Sequence, residues 1–138
     1  MKKSLLPVLV LSLTFAAVEC RAQRVRNPWA PVNRDPVGNT LYFLKDSVVE
    51  EGNGVRVAWL RITYKFLTQH GMASGFGPLH DMVEMRYRFD CPGRRLQRLE
   101  SRERMAGEIV HEHPANPDAP WELPNTSPVL RDAWRRVC

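Results

Sequence analysis

The sequence predicts an α+β domain: a compact antiparallel β-sheet with a C-terminal α-helix packed on it and disulfide-linked to it. Three observations carry this reading. In "MVEMRYRFDC", Val83, Met85, Tyr87, Phe89 and Cys91 share one face of a strand, while Glu84, Arg86, Arg88 and Asp90 share the other. The last residues, "SPVLRDAWRRVC", place one apolar stripe behind a helix-capping serine. Cys91 and Cys138 fall on the inward sides of these two elements.

From the N-terminus, Met1, Lys2 and Lys3 precede the apolar run Leu5–Val18, so residues 1–22 read as a secretory signal peptide. That run is shorter than the ~20 residues needed to span a bilayer, and nothing later in the 138 residues approaches it, so no transmembrane helix is expected in the mature chain. A cut after Ala22 leaves Gln23 first. The rival route, lipidation at Cys20, is opposed by the large charged Glu19 before it. Either route takes Cys20 out of the count and leaves two thiols from three. In the oxidising compartment that export implies, such a pair becomes a disulfide. Loss of three basic residues and one acidic residue with the signal takes the formal charge from +5 to +3. Only Lys45 and Lys65 remain as lysines, and the arginine bias overall reads as base composition.

Residues Gln23–Asn39 carry three prolines and read as an extended N-terminal segment whose Trp29 docks on the domain that follows, spanning 40–138. "TLYFLK" and "VRVAWLRITYKF" are strands joined through Gly52-Asn53-Gly54, a hairpin turn signal. The apolar register moves from Val55, Val57 and Trp59 to Leu60, Ile62 and Tyr64, which predicts either a bulge or a strand covered on both sides. Gln69–His80 is Gly-rich and aperiodic, a loop. Pro92-Gly93 then turns the chain out of its clearest strand. Leu96 and Leu99 in "RRLQRLESRERM" fit a helical spacing, but the place after a tight turn favours a hairpin partner. "GEIVHEH" is a further short strand, and a proline-studded loop runs from Pro114 to Pro124. Ser127 caps the final helix, Pro128 occupies its first position, and Leu130, Ala133, Trp134 and Val137 form its buried stripe.

The runs "YFLKDSVVEEGNGVRVAW", "YRFDCPGRRLQRLES" and "VLRDAWRRVC" resemble the surface-adhesin E family of bacteria, over Leu41–Cys138. The shared features are Asp46 and Ser47, the Gly-Asn turn, Trp59, Asp90-Cys91, Gly107, Trp121 and the final Val137-Cys138. The resemblance implies the same sheet and the same Cys91–Cys138 tie. It also implies an exported adhesin that binds host matrix and serum proteins. The long Gln69–His80 loop and Glu19 depart from the family and argue against outer-membrane anchoring. No ligand-contact residue is carried over.

Around the cysteines, "CPGRR" and "RRVC" bring Arg94, Arg95, Arg135 and Arg136 close to one bridge, with Arg98 and Arg131 as neighbours. Guanidiniums gathered in this way suit sulfated glycans, lipid phosphates or an acidic protein patch; the plainer reading is solvated surface charge offset by Asp90 and Asp132. His111 and His113 share a strand face at a chelating spacing, yet no third ligand accompanies them, Glu112 points away, and His70 and His80 belong to the loop. No metal and no cofactor are therefore expected. There is no G-x-S-x-G elbow, P-loop or H-E-x-x-H, and "SGFG" is too short to cradle a phosphate, so the chain does not read as an enzyme. The modest charge of an exported domain also excludes nucleic acid as a partner.

The reading is a cell-envelope protein, in the periplasm or on the outer surface of a Gram-negative bacterium, acting as a binding module. Its expected partners are extracellular matrix or serum proteins or anionic glycans. The alternative is a structural or accessory periplasmic protein without a host ligand.

Overall fold

The computed structural model describes residues 27–68 and 78–138. The predicted signal peptide, Cys20 and most of the predicted Gln69–His80 loop lie outside the described residues. Three long strands form the centre of one antiparallel sheet: β4 (Val55–Thr68), β5 (His80–Asp90) and β6 (Arg95–Met105). Shorter strands line both outer edges. On one side β2 (Thr40–Leu44) and β3 (Val49–Gly52) share the edge of β4, and β1 (Trp29–Arg34) pairs with β2. On the other, β7 (Glu108–His113) and β8 (Trp121–Glu122) share the edge of β6. A single α-helix among the described residues, α1 (Pro128–Val137), packs on one face.

The turns explain the pairing. Gly52 pairs with Val55 across Asn53-Gly54, and both central residues have positive φ, 53° and 76°. This conformation matches the twist of a hairpin and suits Asn-Gly. Between β5 and β6, Asp90 accepts a hydrogen bond from the Gly93 N–H at 2.9 Å and closes the Cys91-Pro92-Gly93-Arg94 turn.

Within β4 the register with β5 runs unbroken from Val55↔Asp90 to Thr63↔Met82. Of the two sequence readings, coverage on both sides is the one observed. Ala58 and Leu60 are fully buried toward the helix, while Val57 is buried and Trp59 half-buried on the other face. The register of β4 with β5 shifts only beyond Thr63, and β6 carries a bulge of its own. Arg98 pairs with Tyr87 and Glu100 with Arg86, so Leu99 is the extra residue. That insertion buries Leu96 and Leu99 in one strand at a spacing that otherwise suggests a helix.

Two further placements differ from the sequence reading. Trp29–Arg34, in the predicted lead-in, is an edge strand of the sheet. His80, assigned to the loop, opens β5 and is fully buried.

The core lies between α1 and the sheet. Leu130, Ala133 and Val137 are buried on the helix, against Phe43, Leu60, Phe89 and Leu96 from the strands. The Ser127 side chain accepts from the Leu130 N–H at 3.2 Å, the predicted cap. The outward face of the sheet has no second layer among the described residues. Arginine side chains lie over its aromatic rings, with Arg61 4.0 Å from the ring centre of Trp29 and Arg102 5.2 Å from that of Trp59. No helix among the described residues is long and apolar enough to cross a membrane.

Candidate functional site

Cys91 leaves the end of β5, and Cys138 follows the last turn of α1. Their Cα atoms stand 5.5 Å apart and the sulfurs are bonded. The disulfide ties the helix region to the sheet. The carbonyls at the helix end are also satisfied, Trp134 by the Cys138 N–H at 2.8 Å and Val137 by the Arg56 guanidinium at 2.6 Å.

The bridge brings two of the four predicted arginines together. Arg94 and Arg135 line one cavity of about 440 Å³ together with Trp134, Leu123 and Pro124. Arg131 completes it. This residue lies four positions before Arg135, one helical turn away on the same face, a relation visible in the sequence. Arg95 and Arg136 are directed elsewhere. Neighbouring strand residues point to opposite faces, and Arg95 reaches Asp90 at 2.7 Å and stacks on Trp121 at 4.6 Å. Arg136, about 100° around the helix from Arg135, lies over Phe43 at 5.6 Å. Arg98 falls on the core side of β6, away from this cavity.

No carboxylate lines the cavity. Asp90 is held by Arg95 and, more weakly, by the Gly93 N–H, which together keep its carboxyl below the usual range. Asp132 accepts from the Asn33 side chain and stays 3.9 Å from Arg131. Among the described residues, no carboxylate is ion-paired with Arg94 or Arg135. Arg94, Arg131 and Arg135, with Trp134 in the same lining, therefore form a cationic recess with planar donors, suited to a sulfate, phosphate or carboxylate. Arg135 and Arg136 in the last turn also offset the helix dipole, so part of their role is structural.

The histidine pair adds little. The His111 and His113 rings meet edge to face at 4.6 Å, and no group of three metal-ligating side chains occurs among the described residues.

No family model and no curated protein matches the chain. Solved structures do. The structure of Haemophilus influenzae protein E, a surface adhesin E, aligns with a TM-score of 0.51 at 11% identity, covering 83% of this chain and 86% of that one. Its crystal form II gives 0.50 at 12% identity, covering 83% and 89%. The likeness lies in the fold, and it agrees with the surface-adhesin E resemblance carried by the sequence.

Proposed function

We propose that the protein is an exported, non-enzymatic binding module that takes anionic groups of extracellular macromolecules in the recess formed by Arg94, Arg131 and Arg135. Sulfated glycans and acidic patches of matrix or serum proteins are the ligand classes. The observation that carries the proposal is the carboxylate-free cavity of about 440 Å³ built across the Cys91–Cys138 bridge. Likeness in fold to a surface adhesin supports the adhesin-like role. The apolar run behind Met1, Lys2 and Lys3 supports export, as does a cysteine pair geometrically fit to bond.

Heparin chromatography tests the site. The protein should be retained and elute at a defined salt concentration, because exposed charge pairs are screened by salt. Arg94→Ser with Arg135→Ser should elute markedly earlier, while Arg95→Ser, whose guanidinium is already committed to Asp90, should change little. Equal elution of the double variant and the unmodified protein removes the recess as the site. Protease added to intact cells tests exposure: an uncut protein favours the accessory periplasmic role.

A further inference from the structure

The recess holds more than charge. Its lining is shared between Arg94, Arg131 and Arg135 and three apolar residues, Leu123, Pro124 and Trp134. Leu123 is 58% exposed. Its backbone is fixed all the same, because its carbonyl accepts from the Thr126 N–H at 3.2 Å and from the Thr126 hydroxyl at 2.9 Å. Trp134 is half-buried, its ring 6.3 Å from that of the fully buried Phe89, so this part of the lining is anchored in the core. Apolar side chains set among guanidiniums in one recess suit a ligand that is apolar next to its charge.

Arg94 adds an independent sign. At the end of its turn it takes a φ of +50°, a left-handed conformation that favours glycine or asparagine, although a glycine stands one residue earlier without it. Backbone strain of this kind gathers at binding sites, and here it falls on a side chain that lines the recess. The neighbouring arginines do not extend the recess into a basic track. Arg95 is bonded to Asp90 at 2.7 Å, and Arg136 lies over Phe43. A recess of about 440 Å³ bounded in this way suits one charged substituent rather than a run of sugar units.

We propose that the recess binds an aromatic ester of sulfate or phosphate, the O-sulfated or O-phosphorylated tyrosine side chain of a partner protein, with the oxyanion on Arg94, Arg131 and Arg135 and the ring against Leu123, Pro124 and Trp134. The anion takes charge-assisted hydrogen bonds from planar guanidiniums, whose faces also stack on an aromatic ring. A sulfate carried on a sugar or on serine offers the same oxygens but no ring for the apolar residues. This ligand presupposes that the recess is an anion site, and within that reading it narrows the ligand classes to a modified protein side chain.

Isothermal titration calorimetry of the purified protein tests it, with otherwise identical capped peptides carrying sulfotyrosine, sulfoserine, phosphotyrosine or phosphoserine. A tyrosine ester should bind at least about tenfold more tightly than its serine counterpart, and the pair that shows this preference names the source of the ligand. Leu123→Ser, which keeps the backbone bonds to Thr126, should bring that pair within about threefold of each other while heparin elution stays the same. Arg94→Gly should weaken the tyrosine ester at least about tenfold without lowering the melting temperature, because glycine relieves the positive φ. Binding of no peptide, equal binding within both pairs, a preference that survives Leu123→Ser, or unchanged affinity or a lower melting temperature in Arg94→Gly overturns the proposal. Heparin separates the two failures: a protein retained on heparin without the tyrosine preference loses only the aromatic ligand, whereas one that neither is retained nor binds any peptide loses the anion site as well.

Discussion

Glu84 lies on the outward face of the sheet but is only 7% exposed, where two guanidiniums close over it. Arg61 and Arg104 donate to its two carboxylate oxygens from β4 and β6. Burial alone would raise this carboxyl, but the hydrogen bonds and charges of Arg61 and Arg104 outweigh it and hold the group below its ordinary 4.5. A depressed folded-state pKa contributes stability that is complete above the unfolded value and fades as pH falls through the lower folded one. Glu84→Gln should therefore destabilise the protein by about 2 kcal/mol at neutral pH, the usual scale for hydrogen bonds to a charged group. The penalty should shrink in acid, so that thermal melts of the two proteins at successive pH values converge below pH ~4. Parallel curves across that range would place the stabilising contacts elsewhere.

At the scale of elements, the turn between β3 and β4 and the cap of α1 each rest on one residue. A Cβ on Gly54 would lie 2.9 Å from Pro92, and its φ of +76° disfavours any side chain. Gly54→Ala should cost about 1–3 kcal/mol in denaturant unfolding. Ser127→Ala removes the acceptor of the Leu130 N–H and should cost about 1 kcal/mol. Both features were legible in the sequence, as were the β5 alternation and the stripe of α1, because each depends on local residue order. What escaped depended on pairing. β1 carries Pro31 and reads as a lead-in, yet an edge strand needs only half its backbone donors and tolerates proline. The recess was half legible: clustering by sequence distance chose Arg95 and Arg136, although strand alternation and helical rotation send adjacent residues apart. The burial of Glu103 opposite Val83 was hidden in "RLQRLESRERM", where the Leu99 bulge shifts the face on which every later charge falls.

At the scale of the whole molecule, one short helix covers a sheet of eight strands, and its position governs the arginine recess. Packing of Leu130, Ala133 and Val137 sets that position from the middle of the helix, and the bridge fixes its end. The cysteines are separated by 47 positions, and closing a loop of that length restricts the unfolded chain by about 4 kcal/mol in the chain-entropy model. The native contacts of the helix do not depend on that term. Cys91→Ser with Cys138→Ser should therefore stay folded with the helix in place while its melting temperature falls by about 15–20 °C. The arginine recess should suffer more than the fold, since Arg94 and Arg135 each stand three residues from a bridged cysteine while Leu130 and Ala133 pack farther along the helix. The double serine variant, held well below its melting temperature, should elute early from heparin while its far-UV circular dichroism keeps the helical signal. A parallel loss of the helical signal would mean that the core alone does not hold the helix when the bridge is absent.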